Sequence, residues 1–217
     1  MEETPLSLAE RAATLFADGH AEEARAIFEK VITPGTTDLR ILFLGFQFNF
    51  RSGDYAEAER LVRRRLALAA PDTEDCARAN TNLGLVRLYR KDLDDAEVHF
   101  KKAVDISRRL GNQESLARDI GNYALVPEAR GDLDRAEALF REGLAIAQAC
   151  GAEKIAAGKL ANLGDIALAR GKRDEARDLW TRALAIMERL DIKMWLPEVI
   201  KKLADLDRPE PADAGRA

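Results

Sequence analysis

Apolar residues recur along most of the chain with the period of about 3.6 that marks an amphipathic helix, and the helical pattern is itself repeated. The nineteen residues Asn82–Phe100, "NLGLVRLYRKDLDDAEVHF", come back as "NYALVPEARGDLDRAEALF" from Asn122 and as "NLGDIALARGKRDEARDLW" from Asn162, 40 residues apart each time. Alignment on the alanine that follows each turn extends the series to five copies. The alanines are Ala24, Ala58, Ala96, Ala136 and Ala176, spaced by 34, 38, 40 and 40 residues. Four residues further on stands a large apolar side chain: Phe28, Val62, Phe100, Phe140 or Trp180. A fixed internal period of this length marks an array in which each repeat buries its apolar face on its neighbours. The pattern predicts five helical hairpins.

The punctuation between helices supports that reading. Gly19, Gly53, Gly131 and Gly171 stand where a helix must stop with one residue at positive φ, a conformation that glycine adopts without steric cost. Lys91 takes the place in the third copy, which predicts a strained turn or a different cap there. Acidic residues cluster just after the turns, where they complement the dipole of the second helix. Opposite the alanine lie the small residues Gly84, Ala124 and Gly164, which let two helices approach closely. The second copy departs from this with Phe46 near the small slot. Pro127 falls within a first helix, where it is expected to free the Tyr123 carbonyl and bend the helix. The stretch "LGFQFNF" (44–50) alternates as a half-buried strand would, yet its place in the repeat assigns it to a helix. That helix is then apolar nearly all round, with Phe43, Phe46, Phe48 and Phe50 buried or lining a pocket.

The expected hairpins cover about 5–33, 38–70, 73–110, 113–150 and 153–190, in a single array spanning 1–206. Residues 195–206 match the beginning of a further first helix, with Pro197 suited to an opening turn. This segment is expected to cap the exposed end of the array. The tail, 207–217, is rich in Pro, Asp and Ala and is read as disordered.

Composition narrows the function. Charged residues make up 33% of the chain and aromatic residues 6%, a balance suited to a helical protein. A net charge of −4 leaves no basic excess to neutralise phosphates, so nucleic acid is not expected as a partner. The first residues show no basic region followed by an apolar run, and no apolar stretch reaches spanning length, so a cytoplasmic protein without a membrane partner is expected. Cys150 shares its slot with Leu110 and Leu190, and Cys76 shares one with Leu116 and Ala156, so both cysteines are expected to behave as small core hydrophobes. His20 lies in a turn, while His99 occupies the slot of Leu139 and Leu179 and is expected to be partly buried. No HExxH, CxxC or GxSxG occurs. The stretch "GAEKIAAGK" has six residues between its glycines where a phosphate loop has four, and no strand precedes it. Neither a cofactor nor catalysis is expected.

The small residue, turn glycine, alanine and aromatic at these offsets resemble the tetratricopeptide repeat family over nearly all of residues 5–206. The later spacings are similar to the longer-helix variety in kinesin light chains, LGN/Pins proteins and bacterial peptide-sensing regulators. The resemblance implies an all-α protein, an α-solenoid of five antiparallel hairpins in a right-handed superhelix plus a C-terminal capping helix. It also implies a protein-interaction scaffold whose first helices line a concave groove.

Residues spaced four, three and four apart share one face of a helix. On the first helices they are Arg40, Leu44, Gln47 and Arg51; Arg78, Asn82, Leu85 and Tyr89; Arg118, Asn122, Leu125 and Ala129; and Gly158, Asn162, Asp165 and Ala169. An amide carries both a donor and an acceptor, so a column of Asn82, Asn122 and Asn162 suits the backbone of an extended peptide. This resembles the asparagine ladder of the longer-repeat relatives. The alternative is that each asparagine bonds a neighbouring repeat and fixes packing. Arg40, Arg78 and Arg118 offer forked donors for carboxylates, which predicts an acidic partner segment repelled by Asp165. Tyr89 and Leu85, with Phe43 and Phe50, supply apolar anchors. Two other readings stand beside this one: a structural subunit that self-associates as a homo-oligomer, and a sensor for a short signalling peptide.

Overall fold

A computed structural model describes residues 3–193 and 195–208. The expected disordered tail lies outside the described residues from position 209 onward. Twelve helices and no strand occur among the described residues. The chain divides into two compact units, Met1–Leu110 and Gly111–Ala217.

The first unit holds three hairpins. They are α1 (Pro5–Ala17) with α2 (Ala21–Val31), α3 (Leu39–Arg51) with α4 (Tyr55–Leu68), and α5 (Glu74–Tyr89) with α6 (Leu93–Leu110). The second unit holds α7 (Gln113–Tyr123) and α8 (Leu125–Ala129) against α9 (Leu133–Ala149), then α10 (Glu153–Ala169) with α11 (Arg173–Arg189). The cap α12 (Leu196–Asp207) packs on α11. The "LGFQFNF" stretch is helical, with Phe46 and Phe48 buried, Phe43 and Phe50 half-buried and Gln47 exposed.

Short polar side chains start the helices by accepting the otherwise orphaned first-turn amides. Asp38 accepts from the Arg40 and Ile41 amides at 2.8 and 3.2 Å. Asp54, Thr73, Asn112 and Asp132 cap α4, α5, α7 and α9 in the same way. Within the hairpins the chain reverses through Gly19, Gly53, Gly131 and Gly171, at φ of 91°, 82°, 79° and 74°. Lys91 adopts the same left-handed conformation at φ 64°, so the third hairpin keeps the turn and carries the strain of a Cβ there.

The five turn alanines are fully buried, and each hairpin closes by setting a large side chain against a small one. A Cβ on Gly84 would lie 2.6 Å from the Phe100 ring, and one on Gly164 would lie 2.4 Å from Trp180 Nε1. The second hairpin reverses the sizes. Phe46 stands on the first helix and the smaller Val62 on the second, in one core with Leu42, Ala58 and Leu61. The largest ring of the pair thus stands on the first helix here and on the second helix in the third, fourth and fifth hairpins. Its close-approach glycine is Gly45, where a Cβ would meet Ile32 at 2.2 Å.

Pro127 has no amide proton to give the Tyr123 carbonyl, and the helix is broken at Ala124 into α7 and α8. The cysteine reading needs a correction. Cys76 is half-buried, but Cys150 is exposed. Cys150 is the C-cap residue of α9, and its slot-mates Leu110 and Leu190 are exposed as well. The slot lies where the helix ends in solvent, so it is no core position.

Candidate functional site

The first-helix slots differ sharply in exposure and in partners. On α5, Arg78 is exposed and donates to Glu74 at 2.6 Å. Asn82, one turn on, is only 8% exposed, and its Nδ2 is buried without an acceptor. Leu85 is half-buried. Tyr89, at 56% exposure, sets its ring edge-on to Phe50 at 5.0 Å and 5.7 Å from Tyr55. On α3, Arg40 pairs with Glu10 of α1 at 2.7 Å, Gln47 is exposed, and Arg51 lies over the Phe16 ring.

In the second unit Arg118 is half-buried and donates to the fully buried Asp119 at 3.1 Å. Asn122 and Asn162 are half-buried at matching slots of α7 and α10. All three arginines expected to greet an acidic partner therefore hold a carboxylate of the chain itself. The Arg40–Glu10 and Arg78–Glu74 pairs are exposed and contribute roughly 0–1 kcal/mol, so they restrain those two arginines only weakly, whereas Arg118 is held by a buried carboxylate. The asparagines differ from others in the chain. Asn49 donates to the Gly45 carbonyl, and Asn80 joins the Cys76 carbonyl to His99. The side chains of Asn82, Asn122 and Asn162 form no hydrogen bond among the described residues.

The cap helix continues the row. Lys202 lies 40 residues after Asn162, and Glu198 lies 40 after Gly158. Lys202 Nζ reaches Asp165 and Glu198, each at 2.8 Å, and Asp165 also accepts from Trp180 Nε1 at 3.2 Å. Asp165 was expected to repel an acidic segment; instead it is bound by Lys202. Burial raises the Asp165 carboxyl above its ordinary range although those two bonds pull it down. Burial opposes the Lys202 charge, but its carboxylate partners hold it above the usual lysine value. Nearby Glu128 is pushed up to about 7 by burial and by the Asp165 charge.

Three further groups escaped the sequence reading. Lys159 on α10 is buried beneath Gly121, its Nζ 5.8 Å from the Phe140 ring centroid, and burial lowers it to about 8 against the pull of Asp119. Lys202 was legible in the 40-residue spacing, as a lysine at the next asparagine slot. Arg65 on α4 is buried at 5% exposure, in the slot held elsewhere by Val31, Ala103, Gly143 and Ala183. That size mismatch was its signal. Burial lowers the Arg65 guanidinium, with the Asp75 hydrogen bond opposing the shift.

A cleft of about 700 Å³ opens in the first unit between the start of α1 and the α2–α3 loop, lined by Leu6, Leu8, Val31, Thr36 and Ile41. None of the row residues lines it. Among the described residues no three His, Cys, Asp or Glu side chains gather as metal ligands, and no helix is long and apolar enough to cross a membrane. His99 sits half-buried with Nδ1 at 3.1 Å from Asn80 Oδ1, and burial lowers its proton affinity.

Stacked hairpins with small-to-large contacts, glycine turns and a polar row on successive first helices define an all-α repeat solenoid, a class of interaction scaffold. Three tetratricopeptide repeat family models match the chain, over residues 5–30, 75–149 and 157–190. The chain belongs to the tetratricopeptide repeat family. Solved structures resemble it in fold. TTC0263, a thermophilic TPR protein of Thermus thermophilus, superposes with a TM-score of 0.71 at 19% identity, over 94% of this chain and 98% of that one. BtubC (BKLC) from P. vanneervenii gives 0.63 at 21% identity, over 93% and 81%. Aspartyl phosphate phosphatase F from Bacillus subtilis gives 0.74 at 14% identity, over 89% of this chain and 53% of that one. No curated protein matches the sequence.

Proposed function

We propose that the first-helix face of each unit binds an extended segment of a partner protein, with the slot asparagines of that unit holding its backbone. The observation that carries this is the state of those amides. Asn122 and Asn162 recur at one slot of α7 and α10, half-buried, with no side-chain hydrogen bond among the described residues. Asparagine lowers helix stability relative to Ala or Leu because its amide competes for backbone bonds. An amide retained for packing is expected to be bonded, as Asn80 is. A peptide backbone supplies both missing partners at once. The first unit carries its own set on the corresponding face, with Tyr89 and Leu85 as apolar anchors and Gln47 of α3 as an amide beside Asn82 of α5. Recognition of this kind needs no covalent step, and the protein acts as a cytoplasmic scaffold in this reading.

Asn122→Ala combined with Asn162→Ala is the test. Capture of partners from cell lysate should fall about tenfold or more, while the melting temperature stays within about 2 °C, since exposed or half-exposed substitutions away from special features usually change stability by less than about 0.5 kcal/mol. A large fall in melting temperature with unchanged capture would assign the amides to packing instead.

A further inference from the structure

A pocket of about 360 Å³ opens in the first unit where α2 and the start of α4 meet the end of α3, a size within the range of small-ligand sites. None of the slot-row residues lines it. Part of its wall is apolar: buried Phe28 and Phe48, with ring centroids 5.1 Å apart, and half-buried Ile32. The exposed carboxylates of Glu29, Asp54 and Glu57 line it as well. Arg25 is the only cation of the lining, and its Cζ lies 5.3 Å from the Phe48 ring centroid. Glu57 is held by Arg60 at 2.5 Å, and one Asp54 oxygen caps α4 by accepting from the Glu57 amide at 3.0 Å. Glu29 pairs with no cation among the described residues. The last lining residue, Asn49, is 7% exposed. Its Nδ2 donates to the Gly45 carbonyl at 2.8 Å, while its Oδ1 accepts no hydrogen bond among the described residues. An acceptor left without a donor on a buried residue is costly, and here it belongs to the wall of a cavity.

We propose that this pocket binds a primary alkylammonium ion, its ammonium group on Glu29, Asp54 and the Asn49 Oδ1 and its alkyl chain on Phe28 and Ile32. An ammonium carries three N–H donors and no acceptor. The lining offers it the Glu29 carboxylate, the second Asp54 oxygen and the Asn49 amide oxygen as acceptors. The charge balance points the same way. With Glu57 neutralised by Arg60, Glu29 and Asp54 bring two negative charges against the single positive charge of Arg25, so one negative charge is left for a ligand. Carboxylates beside an aromatic wall attract an organic cation through charge and ring quadrupole together. Arg25 shows this attraction within the chain, since it lies over Phe48. The compact ammonium suits the space beside that guanidinium better than a second planar fork would. Because the pocket is built from α2, the end of α3 and the start of α4 and shares no residue with the slot row, it stands or falls independently of the peptide-binding reading.

The test titrates the full chain at one fixed ionic strength with n-butylammonium chloride and with 1-butanol, a neutral molecule of similar shape. The side-chain amide resonances of Asn49 are followed. n-Butylammonium should shift them saturably and bind at least tenfold more tightly than 1-butanol. Glu29→Gln should weaken that binding about tenfold, whereas Glu22→Gln, on the same helix but outside the pocket, should leave it within twofold of wild type. Arg25→Met should tighten it at least threefold by removing the competing cation. All three positions are exposed or half-buried, so the variants are expected to fold, and the wild-type titration decides the matter on its own. A third probe, Nα-acetyl-lysine methylamide, separates the sources of the ammonium: tighter binding than n-butylammonium assigns the pocket to a lysine side chain of a partner, and weaker binding to a free small amine. Asn49 resonances unmoved at tens of millimolar n-butylammonium, an equal response to 1-butanol, or equal losses in Glu22→Gln and Glu29→Gln overturn the proposal.

Discussion

The two units solve the same packing problem with different strictness. In the second, the repeats keep a 40-residue period, and each slot transfers: Phe140 faces Ala124 and Trp180 faces Gly164, with Lys202 following Asn162 at the next step. Its polar row is also closed internally, since α12 delivers Lys202 to Asp165. In the first unit the spacings are 34 and 38, the second hairpin swaps its large and small partners, and Arg65 fills a slot held by small or compact residues elsewhere. The comparison teaches that regular spacing fixes the packing and lets the cap helix close the end of the polar row. Irregular spacing is accommodated by compensating changes, and it leaves donors unmet in the first unit.

Size exchange provides the most disruptive test of that difference. Gly164→Ala drives a Cβ to 2.4 Å from Trp180 Nε1 and should lower stability by about 2–3 kcal/mol, as overpacking does. Val62→Phe should cost a comparable amount in the first unit, and adding Phe46→Ala should recover most of it, a coupling read from a denaturation double-mutant cycle. A neutral Val62→Phe would show that the second hairpin is loosely packed rather than reversed.

Buried charge in the second unit gives the next effects, and both depend on pH. Lys159 has a folded value of about 8 against 10.5, so the unfolded chain holds that proton more tightly. Stability from this group should be lowest below pH 8 and rise between 8 and 10.5, by up to about 3 kcal/mol. Lys159→Met should remove that rise from melting curves. Glu128 works in the opposite direction: its folded value of about 7 exceeds 4.5, so the folded state binds the extra proton, and stability falls as pH climbs from 4.5 through 7. Glu128→Gln should raise the melting temperature by about 2–4 °C at pH 8, less than full burial would give because the group is partly solvated. At pH 4.5 it should change little.

The smallest effect sits at the turn of the third hairpin. Lys91→Gly relieves a side chain at φ 64° and should stabilise the first unit by about 1 kcal/mol, measurable as a shift in denaturation midpoint. Gly131, the matching residue of the second unit, should lose about the same when changed to Lys.

Much of this was readable in the chain before its coordinates. The helices, the turn glycines, the turn alanines and the facing glycines follow from steric rules that act within a few residues. Phe46 was flagged as a departure, but its exchange with Val62 needs the partner helix to be seen. Cys150 misled because a shared slot was equated with the core, whereas that slot is a helix end. Arg65 carried only a size mismatch as its signal and Lys159 none, because the burial of both is set beyond the local sequence. Their burial is decided by neighbours distant in sequence, Phe43 and Asp75 for one and Gly121 and Asp119 for the other. The asparagine slots were found from spacing alone, but their lack of internal partners is a property of three dimensions.

Site-specific photocrosslinking tests the central claim most directly. A benzophenone amino acid is placed at Gln47 or Ala169 on the first-helix face, and at Val98 or Ala185 on exposed positions of second helices. Partner peptides should be recovered from the Gln47 and Ala169 positions and not from Val98 or Ala185. Equal recovery from all four, or recovery from Val98 and Ala185 alone, would contradict it.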